Sequence, residues 1–290
     1  MATGAALLPV ACSSVPSLFD DVHQVDLVLA GEPTRLPVFI RDAGAFAAVF
    51  PARLAELRRL LPDPGLVPAR IAPGVGAVVV GAVEYRDGDL GAYREALVGV
   101  ALEGGEATVS LPGRAALRAL LRGRTEVFVL DMPVTTELAR EGGVAFAGYP
   151  KWIAAIDVST GEGERTCRLR HPDETVPLLT LVVRPPGGGR RLRLRVAGRS
   201  WMDGQVQGSE LLVESPALAI GPGGASARLE LDPGSLHPTA RQLDGALLGH
   251  RALAVVDVPT FRAIFFGPER ITAHTLERLV RARAEERART

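Results

Sequence analysis

The sequence predicts a strand-dominated α+β fold built on a large, mostly antiparallel sheet or barrel. Three observations carry this. After residue 150, at least six short apolar runs recur at regular intervals, each bounded by Gly, Pro or Asp. Earlier, the apolar runs 77–85 and 93–102 flank the turn Arg86-Asp87-Gly88-Asp89-Leu90-Gly91 and read as a hairpin. The helical patterns are short and do not alternate with strands, which argues against repeated βα units.

Taken in order, residues 1–18 read as a loose leader of Ala, Gly, Ser and Pro, and residues 19–290 as a single domain. Strand-like runs at 25–30 and 36–40 are separated by a turn at Gly31-Glu32-Pro33. Residues 43–61 are helical in pattern, broken at Pro51 and stopped by Pro62-Asp63-Pro64-Gly65. The hairpin follows, then a helix at 115–121, a strand at 125–132 and a short helix at 135–141. A threonine caps that helix and Gly142-Gly143 stops it. The later strands fall near 153–158, 166–170, 178–183, 191–196, 205–213 and 227–231, with two more at 250–258 and 261–266. A charged C-terminal helix over 271–289 carries Leu276, Leu279 and Val280 on one face.

Composition narrows the function classes. The 47% hydrophobic content supports a real core. The formal net charge is zero, so no basic surplus exists for nucleic acid or an anionic membrane. The run Arg190-Arg191-Leu192-Arg193-Leu194-Arg195 reads as a surface strand with one charged face. Two distant cysteines, Cys12 and Cys167, make neither a disulfide framework nor a CxxC metal site, which fits a reducing cytoplasm. The N-terminus lacks the basic region of a signal peptide, and no apolar run reaches membrane-spanning length. None of His23, His171, His237, His250 and His274 pairs at metal-ligand spacing, and no strand-to-helix phosphate loop stands out, so no cofactor is expected.

The chemistry centres on one residue. Of the 33 Lys and Arg residues, Lys151 is the only lysine, and it stands in the apolar stretch Ala147-Gly148-Tyr149-Pro150-Lys151-Trp152-Ile153. A guanidinium stays protonated, whereas a buried amine can become a nucleophile. Depletion of lysine by coding bias explains the scarcity but not the apolar setting, since a leftover lysine belongs on a solvated face. Phe146, Tyr149, Trp152 and Ile153 are candidates for surroundings that favour the neutral amine, and Pro150 fixes the backbone ahead of it. Imine chemistry also needs a proton carrier. Glu95, an acid inside the apolar strand that starts at Tyr93, is the first candidate. A solvent-facing Glu on an edge strand is the alternative there. Glu84, which flanks a turn, is a weaker candidate, and Glu137 and Glu141 on a short polar helix read as solvated. Tyr93, Tyr85 and Trp201 read as lining.

These residues resemble the acetoacetate decarboxylase family. The likeness rests on Pro133-Val134-Thr135-Thr136-Glu137, on Gly148-Tyr149-Pro150-Lys151 and on Gly91-Ala92-Tyr93-Arg94-Glu95. It implies that Lys151 is the imine-forming lysine and Glu95 the acid/base group, within a cone-like β barrel with peripheral helices and a homo-oligomeric assembly. The sequence departs from the family in four places. Trp152 replaces a second lysine, and Val144-Ala145 replaces an Arg-Glu pair. Val80 falls near a second pocket glutamate, and Arg41 is the distant candidate for the arginine that binds the substrate carboxylate. The imine machinery is kept, while groups tied to acetoacetate are replaced by apolar ones. Three functions follow: a Schiff-base decarboxylase of a β-keto acid, an aldolase–dehydratase or cyclase using the same imine on a pyruvate-like or polyketide-like substrate, and a non-catalytic barrel that binds a small keto acid or ketone.

Overall fold

The computed structural model describes residues 17–103, 126–173 and 177–268. Most of the expected leader 1–18, the helix at 115–121 and the helix over 271–289 lie outside the described residues. Strand follows strand: β1 (Val25–Leu29), β2 (Glu32–Leu36), β3 (Val38–Arg53), β4 (Val75–Gly88), β5 (Tyr93–Ala101) and β6 (Val127–Asp131), then β7 (Ala155–Gly161), β8 (Glu164–Arg170), β9 (Leu179–Val183), β10 (Arg190–Met202), β11 (Gln205–Leu231) and β12 (Arg251–Pro268). Three described helices intervene: α1 (Leu54–Leu60), α2 (Glu137–Ala147) and α3 (Pro238–Ala246). No helix among the described residues is long and apolar enough to cross a membrane.

Ten of the described strands form one sheet, in the order β10-β6-β5-β4-β3-β12-β11-β9-β8-β7. It closes because β10 pairs twice, in parallel with β6 at Gly198 and Arg199 and antiparallel along the first half of β11. The second half of β11 pairs instead with β9, at Ala227–Leu231. A second closure runs through Val134, which bridges Glu95 on β5 and Ile153 just before β7. Two rings therefore share the wall β5-β4-β3-β12.

Alternation along the shared strands fills both rings, because successive side chains of a strand point to opposite faces. Phe46, Ala48 and Phe50 of β3, Val78, Val80 and Ala82 of β4, and Ala96, Val98 and Val100 of β5 enter the main core. There they meet Leu169, Leu179, Leu181 and Leu229, while Leu57 of α1 and Leu243 of α3 close one end. The alternate residues face the other ring. One cluster there includes Ile40, Ala43, Val213, Val258 and Phe261, and another Val49, Ala77, Val79 and Ala254.

Several elements differ from expectation. The helical pattern at 43–61 is strand as far as Arg53, and only α1 is helix. Both faces of β3 are buried, so no polar alternation marks it as a strand, and pairing with β4 and β12 overrides the helix propensity of its alanines. The runs 205–213 and 227–231 merge into β11, and 250–258 with 261–266 into β12; glycines and prolines that read as boundaries lie within continuous strands. Helix α2 runs through Gly142-Gly143 to Gly148, and Thr136 at its N-cap makes no side-chain cap bond. The short, largely polar α3 was not expected at all.

Candidate active site

Lys151 and Glu95 lie 56 residues apart in the chain and meet in the fold. Lys151 Nζ stands 2.7 Å from Glu95 Oε2. Both side chains are nearly closed to solvent, at 5% and 8% exposure. The short segment after β6 joins β5 to the chain around Lys151. On one side the Ala96 N–H donates to Pro133 O and the Thr135 N–H to Arg94 O; on the other the Val134 N–H donates to Trp152 O and the Ala154 N–H to Val134 O. The lysine segment is thereby stitched to β5 beside Glu95.

Helix α2 provides the trough in which the lysine lies. A Cβ at Gly143 would stand 2.3 Å from Lys151 Cε and 2.4 Å from Cδ, so only glycine lets the side chain cross the helix there. The helix ends at Gly148, with φ of 61°, in the left-handed region that favours glycine. The N–H of Tyr149 then folds back onto Gly143 O at 3.1 Å, which points the chain into the site.

Aromatic groups complete the surroundings. The Tyr93 ring centroid is 5.8 Å from Lys151 Nζ, within cation–π range. Tyr85 stacks on Tyr93 at 4.2 Å between centroids, and its hydroxyl donates to Glu95 Oε1 at 3.2 Å. One carboxylate oxygen is thus held by Tyr85 and the other faces the amine. Burial, with Glu95 adding to it, pushes both phenols well above the ordinary value, so they remain neutral. Tyr149 shares a hydrogen bond with the Ser209 hydroxyl, and burial pushes its phenol up to about 12. Gly198 makes room for it, since a Cβ there would meet the Tyr149 hydroxyl at 2.6 Å.

The other sequence candidates lie elsewhere. Trp152 points away from Lys151, as neighbours in an extended segment must. Its indole N–H donates to buried Asp131 at 2.8 Å, and its ring stacks near His171 and tilts against His237. Phe146 is buried with Leu29, Val38 and Ala145. Arg41, 40% exposed, pairs with Asp89 and Asp87. Glu84 faces the opposite side of the sheet from Glu95, with Arg94 and Arg86. Glu137 and Glu141 pair with Arg140. Val80 belongs to the main core, and the β4 residue opposite Glu95 is Val83.

Sequence reasoning did not find Gly143, Ser209 or the hydrogen bond from Tyr85. Two signals were present: the hairpin register that sets Tyr85 opposite Tyr93, and a glycine pair inside a helical run, which asks for a packing reason.

A buried amine and carboxylate in hydrogen-bond contact can exchange a proton and serve carbonyl chemistry. The acetoacetate decarboxylase (ADC) family model matches residues 29–202, more than half of the chain and inclusive of both groups. Among solved structures, the acetoacetate decarboxylase of Legionella pneumophila aligns with a TM-score of 0.57 at 13% identity, over 80% of this chain and 86% of that one. The enduracididine biosynthesis enzyme MppR, complexed with pyruvate, aligns with a TM-score of 0.54 at 15% identity, over 82% and 92%. No curated protein matches the chain. At such identities the structural likeness speaks for the fold, while the family match covers the sequence itself. The chain belongs to the acetoacetate decarboxylase family.

Proposed function

We propose that the chain is a Schiff-base-forming lyase that decarboxylates a β-keto acid through an imine on Lys151. The observation that carries this reading is the buried 2.7 Å contact between Lys151 Nζ and Glu95 Oε2. The amine attacks the ketone carbon. Glu95 takes the proton from nitrogen and returns one to the carbinolamine oxygen, which leaves as water. The bond to the carboxylate then breaks, its electron pair flows into the iminium, and carbon dioxide departs. The enamine carbon takes up a proton, and water hydrolyses the iminium to free ketone and Lys151. Tyr85 fixes the carboxylate throughout.

A second reading keeps the imine and changes what the enamine attacks. An aldolase–dehydratase would form it from a pyruvate-like substrate and add it to an aldehyde instead of a proton. The fold likeness to MppR favours this, because MppR is described with pyruvate and with a condensation product of pyruvate and an aldehyde.

Product analysis separates the two. A β-keto acid should yield carbon dioxide and the corresponding ketone, with Lys151→Arg inactive and Glu95→Gln slower by about 10²–10⁴, the range for a lost acid/base group. Pyruvate joined to an aldehyde without carbon dioxide release would select the aldolase. If Glu95→Gln turned over at the wild-type rate, Glu95 would lose its place in either scheme.

A further inference from the structure

The floor beside Glu95 is apolar and is made largely of small side chains. Across the paired strands, Val83 stands opposite Glu95, Ala45 opposite Val83 and Val258 opposite Ala45. One step along the same face, Leu97, Gly81, Ala47 and Val256 form a second row in register. Directly opposed residues share a face with Cβ atoms about 4.5–5.5 Å apart, so the two rows make one continuous surface leading away from the carboxylate. Glu95 is the only charged residue in either row.

This surface is incompletely covered. Ala45, Ala47, Val83, Leu97 and Val256 are each half-buried although they sit mid-strand in the shared wall. On the opposite face of the same strands, Phe46, Ala48, Val80 and Val98 are 2% exposed or less. The half-buried residues border two packed clusters: Ala45, Val83 and Val256 lie against the Ile40–Phe261 cluster, to which Val258 belongs, and Ala47 lies against the Val49–Val79 cluster. An apolar surface left open next to a buried amine–carboxylate pair is suited to the non-reacting part of a substrate.

We infer that the substrate carries an apolar substituent of several carbons on its carbonyl, seated across Val83, Ala45, Ala47 and Leu97. This rests on imine formation at Lys151. A ketone bound there has two arms, one of which carries the group that reacts. The other lies on the floor, and a methyl group covers little of it. Neighbouring strands are about 4.8 Å apart, so only a longer alkyl or an aromatic arm crosses from β5 over β4 to β3.

The test is a series of methyl ketones, acetone, 2-pentanone and 2-heptanone, trapped on Lys151 with borohydride. The readout is the ketone concentration that gives half-maximal adduct. It should fall by roughly three- to fourfold per added methylene that reaches the floor. Ala47→Leu, which fills the second row, should raise the half-maximal concentration for 2-heptanone much more than for acetone. Equal half-maximal concentrations along the wild-type series would overturn the inference, and that series decides even if the variant fails to fold. Failure to trap any ketone or 2-oxo acid would instead remove the imine reading on which the inference stands.

Discussion

At the scale of the residue, one missing carbon matters most. The space that a Cβ would occupy at Gly143 is filled by Lys151 Cδ and Cε. In Gly143→Ala the helix loses nothing, since alanine is the better helix former by about 1 kcal/mol. The flexible lysine, not the backbone, gives way. Moving a nucleophile by about 1 Å costs on the order of 10² in rate. Gly143→Ala is therefore expected to keep or raise its thermal midpoint and to form the imine about a hundredfold more slowly, as followed by rate of borohydride-trapped adduct. A wild-type trapping rate would show that the trough does not hold the lysine. The Lys151–Glu95 pair invites the same kind of reasoning. Well-packed apolar residues often stabilise a protein more than a buried ion pair does, so stability does not account for keeping this one. Both members were legible in the sequence, Lys151 as the single lysine in an apolar stretch and Glu95 as an acid in an apolar strand. Their contact was not legible, because it depends on the residues after β6 lying between the two segments.

At the scale of the element, the lysine segment is held from behind. Trp152 and Lys151 point to opposite sides, and the indole N–H and the Thr239 hydroxyl both donate to Asp131. Period-two alternation could have separated these two neighbours from the sequence, had the segment been recognised as extended. Burial lifts the Asp131 carboxyl above its ordinary 3.8, against hydrogen bonds that favour the charged form. The folded protein thus holds that proton more tightly than the unfolded chain. Well below 3.8 both states are protonated; as pH rises through the lifted value, the folded state gives up its proton at a cost and stability is lost. Asp131→Asn removes that titration. The difference in unfolding free energy between variant and wild type should shift in the variant's favour from about pH 4 to about pH 7, measured by denaturant titration at each. A difference independent of pH would contradict it. Element identity was least legible where both faces are buried. The alanine-rich start of β3 has no polar face to mark a period of two, and β11 and β12 carry turn residues inside continuous strands.

At the scale of the molecule, the two rings divide the work. The ring that includes β7, β8 and β9 encloses the main core, with α1 and α3 at one end. The ring closed by β10 surrounds the opposite face of the shared wall, where Glu95 and the half-open apolar rows lie. The strand-dominated class was legible from the rhythm of apolar runs. The closure was not, because β10 forms an ordinary hairpin with β11 but meets β6, far earlier in the chain, through only two residues. The central claim remains the chemistry of one amine. Lys151 is the only lysine, so the intact protein can be incubated with acetone or pyruvate, reduced with borohydride, weighed and mapped. The account predicts one adduct, on Lys151, absent from Lys151→Arg. A folded protein that yields no adduct across the panel, or one only at its N-terminal amine, would contradict it.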